Sequence, residues 1–101
     1  MKVEFLPEAE EEFLEAARFY ESKAPGVGMA FIVEVHKALS LTSSQPLPAP
    51  VIRGSIRKRV VNHFPFTIFY SVEDDLVVIL SVAHHKRKPD FWRKRSRGSK
   101  R

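Results

Sequence analysis

Residues 65–83 read PFTIFYSVEDDLVVILSVA, two apolar runs separated by three acidic residues. The first run, PFTIFYSV (65–72), is dense in β-branched and aromatic residues and predicts a strand that begins at Pro65. The second run, LVVILSVA (76–83), is apolar on both faces, which is typical of a central strand. Because the acidic turn at 73–75 is short, we expect the two strands to form an antiparallel hairpin.

A further strand precedes this hairpin at residues 55–61. Its side chains alternate between two faces, one carrying Ile56, Lys58 and Val60 and the other Arg57, Arg59 and Val61. Asn62 and His63 are the predicted turn into the hairpin. The second half of the chain is therefore expected to be a three-stranded antiparallel meander.

Two amphipathic helices are predicted in the first half, over residues 7–23 and 27–44. Pro7 suits a first helical position, and the glutamates after it complement the positive end of the helix dipole. Apolar residues recur at spacings of three and four in both segments. The first helix ends at Ala24-Pro25-Gly26, and so short a connection folds the two helices into an antiparallel hairpin.

The remaining segments complete an α+β fold. VEFL (3–6) predicts a short first strand, placed at a sheet edge or beside the last strand. SSQPLPAP (43–50) contains three prolines and is expected to be an extended connector. The predicted order is β-α-α-β-β-β, a two-helix antiparallel hairpin packed on a small, mainly antiparallel sheet.

Composition and charge restrict the function. The chain has 101 residues and no cysteine, which fits one domain, excludes disulfides and thiolate metal sites, and suits a cytoplasmic protein. No apolar run approaches the roughly 18 residues of a spanning helix, so no membrane role is predicted. Nine Lys and Arg lie from Lys86 onward against one acid, Asp90. We predict a domain over 1–92 and a basic, mobile end over 93–101 that favours an anionic partner.

The chain resembles the ParE/RelE superfamily of bacterial type II toxins. The resemblance rests on the element order and on PEAEEEFLEAARFYE (7–21) and HFPFTIFYSVEDDLVVILSVAHHKRKPDFW (63–92). Most specific is the ending, in which a strand runs into histidine, a short basic run, proline and an aromatic pair. The resemblance implies an antitoxin whose flexible segment wraps the toxin and is degraded under stress. It also implies either messenger RNA cleavage on the ribosome, as in RelE-like members, or action on DNA gyrase, as in ParE-like members.

An endoribonuclease would need a base for the 2′-hydroxyl proton, an acid for the leaving oxygen and cations for the phosphorane charge. The candidate residues are Arg57, Arg59, His84, His85 and Arg87. Strand alternation points His84 and His85 to opposite faces, so at most one of them joins a given site. The competing interpretation is a strand-end histidine that hydrogen-bonds a backbone carbonyl. No metal site or cofactor is predicted.

The tyrosines count against the nuclease. RelE-like nucleases resemble this chain in fold and use a Lys/Arg cluster with a tyrosine near the carboxyl terminus. The two tyrosines of this chain, Tyr20 and Tyr70, both lie on apolar faces and are predicted to be structural. Phe91 and Trp92 stand where an ionisable tyrosine would be wanted.

A binding function would use the basic residues as contacts. The predicted target-binding residues are Arg57, Arg59, Arg87, Trp92, Arg93, Lys94 and Arg95. Arg57 and Arg59 either join Arg87 in a positive groove on the exposed side of the sheet, or are solvated or paired with a helix glutamate. Trp92 either offers a stacking platform for single-stranded nucleic acid or packs back on the sheet after a short helix capped by Asp90. We favour packing.

We therefore expect a ParE-like toxin that inhibits growth by binding DNA gyrase and is neutralised by a cognate antitoxin in a hetero-oligomer. The alternatives are a RelE-like messenger RNA endoribonuclease acting on the ribosome and a non-toxic basic nucleic-acid-binding module, since phosphates attract any cluster of Lys and Arg. An antitoxin segment needs an apolar groove. We expect it between the helical hairpin and the sheet, or along the sheet edge.

Overall fold

The computed structural model of the chain describes residues 1–87, 92 and 94–96. The elements are β1 (Lys2–Phe5), α1 (Pro7–Lys23), α2 (Val27–Ser44), β2 (Val51–Arg53), β3 (Ile56–Val60), β4 (Phe66–Glu73) and β5 (Leu76–His84). They form one sheet of order β1-β5-β4-β3-β2, in which β1 runs parallel to β5 and the other pairs are antiparallel. The predicted α+β fold is confirmed. The short strand β2, within the region between α2 and β3, was not predicted.

The hairpin of β4 and β5 forms the centre of the sheet. Asp74 adopts a φ of 56° in the turn, a left-handed conformation that Asp tolerates better than most residues. The register shifts between Phe69 and Tyr70, where β5 carries one extra residue. Residues 77–83 of β5 are all buried, as expected for a strand with neighbours on both sides.

The main core lies between the helices and the sheet, around Phe31 of α2. Phe31 is fully buried, and its ring centroid lies 5.3 Å from that of Tyr20 and 5.0 Å from that of Phe66. This aromatic cluster joins α1, α2 and the start of β4. None of the helices in the described residues is both long and apolar enough to cross a membrane.

The junction between the helices explains their tight hairpin. Gly26 adopts a φ of 87° and turns the chain into α2. The carboxylate of Glu21 then accepts hydrogen bonds from the amides of Gly26 and Gly28, so α1 supplies a negative charge at the positive end of α2. A Cβ at Gly28 would lie 2.7 Å from the carbonyl oxygen of Ala17. The helices therefore approach closely because position 28 has no side chain.

We expect Gly28→Ala to lower the free energy of unfolding by about 1–3 kcal/mol. Helix propensity favours alanine by up to about 1 kcal/mol, but the clash is with a backbone atom that no side-chain rotation can relieve. Urea unfolding measures the change, with Ser40→Ala on the exposed face of α2 as the control. A more stable Gly28→Ala variant would show that the helices do not meet at this position.

Candidate functional site

The connector between α2 and β2 is held by three side chains of the sheet. Arg57 Nη1 donates to the carbonyl oxygens of Leu47 (2.7 Å) and Ala49 (2.8 Å). Arg59 donates to Thr42 Oγ1 and to the carbonyl oxygen of Gln45, both at 2.8 Å. The Tyr70 hydroxyl donates to the carbonyl oxygen of Pro46. We call these three side chains the connector clamp.

The clamp changes the interpretation of Arg57 and Arg59. They are paired across the strands with Tyr70 and Ile68, which are fully buried on the helix side, so both arginines point toward the helices. The prediction of a groove shared with Arg87 on the exposed side of the sheet is therefore wrong. Neither arginine pairs with a helix glutamate, because the partners of these half-buried side chains are a threonine hydroxyl and backbone carbonyls.

A second cluster forms around Glu12 of α1. One carboxylate oxygen accepts from Ser81 Oγ (2.9 Å), the Val82 amide (3.1 Å) and Arg95 Nη1 (3.2 Å). The other accepts from Arg87 Nη1 and Arg95 Nη2, both at 3.0 Å. Arg95 thus holds Glu12 with two parallel bonds, the strong geometry for this pair. We call Glu12, Ser81, Arg87 and Arg95 the Glu12 cluster.

The Glu12 cluster lies where β1 stops covering the edge of β5. The pairing of β1 with β5 ends at Phe5 and Ile79, and the Leu6 amide donates to the Ile79 carbonyl oxygen. Beyond that point Arg95 donates to the carbonyl oxygen of Leu80 (2.9 Å), and Glu12 accepts from the Val82 amide. Side chains therefore continue the hydrogen bonding of the strand edge, which otherwise would leave polar groups unpaired.

Trp92 packs on the face of the sheet away from the helices. It is 2% exposed, and its ring stacks on Phe69 with centroids 4.8 Å apart. Strand alternation puts Phe69 on the opposite face from Tyr70. The preferred packing interpretation is confirmed, and an exposed stacking platform at Trp92 is excluded because the ring is covered. The predicted capping residue Asp90, together with Phe91 and Arg93, lies outside the described residues.

The histidine pair divides as strand alternation predicts. The half-buried ring of His84 meets Phe66 edge to face at 5.2 Å, and its Nδ1 accepts a hydrogen bond from the Lys86 amide. The bond is to an amide and not to the predicted carbonyl. His85 is exposed in the turn after β5, where its amide donates to the carbonyl oxygen of Pro65. The two rings do not share a site.

Both tyrosines are structural, as predicted. Tyr70 is fully buried and its hydroxyl belongs to the connector clamp. Tyr20 sits in the aromatic cluster, and burial raises the pKa of its phenol. A raised pKa keeps the phenol protonated at neutral pH, so Tyr20 is a poor general base.

A groove of about 430 Å³ opens between α2 and β3, in one of the two places predicted for an antitoxin segment. It is lined by Glu34, Lys37, Ala38, Leu41, Ala49, Pro50, Lys58, Arg59, Val60 and Asn62. Leu41 is 43% exposed and Val60 52% exposed. Three of the lining side chains are basic and one is acidic, and that acid, Glu34, pairs with Lys37 and His63. The groove therefore combines exposed apolar surface with a net positive charge.

Comparison with known proteins matches the chain to a family model and to solved structures. A family model described as the ParE toxin of the type II toxin–antitoxin system parDE matches residues 3–89. A chain solved as part of the chromosomal ParDE TA system from P. aeruginosa superimposes with a TM-score of 0.73 at 12% identity, covering 83% of this chain and 95% of that one. At that identity the second match concerns the fold alone. No curated protein matches significantly.

Proposed function

We propose, from the premise that this chain belongs to the ParE toxin family of type II toxin–antitoxin systems, that it inhibits growth by binding DNA gyrase and that a cognate antitoxin neutralises it. The observation that carries the proposal is the family match over residues 3–89, which includes both helices and the meander. A toxin that acts by contact needs no covalent chemistry of its own side chains.

The hydrogen bonds and positions of the nuclease candidate residues support a toxin that acts by binding over one that cleaves RNA. Arg57 and Arg59 already bind backbone oxygens of the connector, so a phosphate would have to displace bonds that hold the fold. The Tyr70 hydroxyl is engaged with the Pro46 carbonyl oxygen, and burial raises the pKa of the Tyr20 phenol, so neither side chain is placed to act as a general base. His84 and His85 do not converge. The described nuclease candidates therefore do not bring an acid, a base and a cation to a common point, as phosphodiester cleavage requires.

The groove between α2 and β3 supports neutralisation by an antitoxin segment. Leu41 and Val60 offer exposed apolar surface, and Lys37 and Lys58 at the rim favour an acidic partner. A helix or strand with one apolar side and acidic flanks fits these features. The product of such pairing is a toxin–antitoxin hetero-oligomer.

Induced expression in a bacterial host tests the target. We expect arrested growth, an SOS response and loss of negative supercoiling in a reporter plasmid, with messenger RNA intact. Cleavage of messenger RNA at ribosomal A sites would contradict the gyrase proposal and favour the nuclease. Harmless expression would contradict both and favour a nucleic-acid-binding module.

His85→Ala supplies a matched control, because His85 is exposed and is a candidate only for the nuclease. Toxicity should be unchanged if the protein acts by contact. Removal of a catalytic acid or base would instead lower activity by about 10²–10⁴-fold.

A further inference from the structure

Glu12 differs from the other acids of α1. Glu8, Glu10, Glu11 and Glu15 are exposed, whereas the side chain of Glu12 is 14% exposed. It accepts five hydrogen bonds, two of them from Ser81 and Val82 near the C-terminal end of β5 and three from arginines that follow β5. A carboxylate so enclosed is stable only because positive charge and donors surround it.

We infer that Glu12 is a positioning residue for the segment after β5, which it fixes through Arg87 and Arg95 so that Trp92 seats on Phe69. Arg95 connects the two contacts, because its amide donates to the Trp92 carbonyl oxygen (3.0 Å) while its guanidinium holds Glu12. The arginine at the strand edge and the ring on the far face are thus one unit, the C-terminal anchor (Trp92 and Arg95).

The charge pattern explains why an acid is needed there. The segment from Lys86 onward holds nine bases against one acid, Asp90, so its own charges repel one another. Glu12 brings a negative charge from a distant part of the chain to the place where Arg87 and Arg95 converge. That Glu12 thereby helps to present the basic residues of this segment to a target rests on the proposed function.

The shape of the cluster predicts which substitutions break it. Glu12→Gln keeps the side-chain size but removes the charge and turns one acceptor into a donor, which would face the donors of Arg87 or Arg95. Glu12→Asp keeps the charge but is one methylene shorter, so it cannot reach all partners and should behave between wild type and Glu12→Gln.

Trp92 reports the docking directly, because it is the single tryptophan of the chain. In the wild-type protein, acrylamide should quench its fluorescence weakly, as expected for a ring 2% exposed. In Glu12→Gln we expect the docked-to-undocked ratio to fall roughly 100-fold, as for loss of one partner of a buried charge pair, and quenching to rise severalfold. Glu11→Gln, an exposed neighbour, should match wild type. The inference is overturned if acrylamide quenches Trp92 as weakly in Glu12→Gln as in wild type.

A second variant decides the question if Glu12→Gln does not fold. Arg95→Gln removes the bidentate pair but leaves the bonds of Glu12 to Ser81 and Val82, and it should expose Trp92 as well. In the double variant, acrylamide should quench Trp92 no more than in the stronger single variant, because both substitutions remove the same interaction between Glu12 and Arg95. The anchor is contradicted if the increases in quenching of the two single variants add up in the double variant. It is also contradicted if Trp92 stays shielded in a folded Arg95→Gln protein.

Gyrase supercoiling then separates the anchor from the proposed function. We expect Glu12→Gln to need about 30-fold more protein than Glu11→Gln for the same inhibition, because an undocked contact segment must be ordered when it binds the target. If Glu12→Gln exposes Trp92 but inhibits gyrase as well as Glu11→Gln does, the positioning role is overturned. If wild type does not inhibit gyrase, the proposed target is wrong, while the quenching result still decides whether Glu12 holds the anchor.

Discussion

Replacing Phe31 with alanine is expected to lower the free energy of unfolding by about 3–5 kcal/mol, more than the effect expected of Gly28→Ala. Phe31 is fully buried where α1, α2 and the sheet meet. Its ring centroid lies within 6.0 Å of the rings of four neighbours, namely Phe13, Tyr20, Phe64 and Phe66. Because rigid rings and backbone line the site, it cannot collapse to fill the cavity. This loss is a large part of the free energy of unfolding of a typical domain, which is roughly 5–15 kcal/mol.

The midpoint of urea unfolding measures this loss, and Met29→Ala is the matched control. Met29 lies on the same helix and is 61% exposed, so its truncation should change stability by no more than about 0.5 kcal/mol. A Phe31→Ala protein as stable as Met29→Ala would mean that the aromatic cluster is not the centre of the core.

The helices were predictable from local sequence alone. The predicted spans 7–23 and 27–44 are the observed ones, because Pro7 marks the start and Ala24-Pro25-Gly26 the break, and neither signal depends on distant residues. Most of the predicted strand ends lie one residue away from the observed ends, because hydrogen bonding to the neighbouring strand decides where a strand begins and ends. β2 was missed because three exposed residues after Pro50 carry almost no periodicity. It exists only through its pairing with β3.

The functional site was less predictable, because its contacts are long in sequence. Arg57 and Arg59 were identified, but their partners 8 to 17 residues away were not. Glu12 was not singled out, although a signal existed. It lies three residues after Ala9 and four before Ala16, on the buried face of α1, and an acid within an apolar stripe requires a partner. That the partner is Arg95, 83 residues away, could not be read from spacing.

The second large effect concerns neutralisation, and it follows from the exposed apolar surface of the groove. We expect Leu41→Glu to retain toxicity but to lower affinity for the antitoxin by about 100-fold. Loss of one buried leucine contact accounts for about 1.5–3 kcal/mol, and the introduced carboxylate repels an acidic segment while it pairs with Lys37, one helical turn earlier. The antitoxin is expected to be the product of a small acidic reading frame beside the gene. Co-expression from matched promoters should rescue growth with the wild-type toxin and fail with the variant.

Val33→Glu is the control that makes this result specific to the groove. Val33 lies on the same helix, is 43% exposed like Leu41, and does not line the groove, so the substitution adds the same charge to α2 at equal exposure. Its toxicity and its rescue by antitoxin should both match wild type. If Val33→Glu also escapes rescue, charge on α2 and not the groove decides binding. If Leu41→Glu is rescued as well as wild type, the antitoxin segment docks elsewhere, with the sheet edge as the other predicted place.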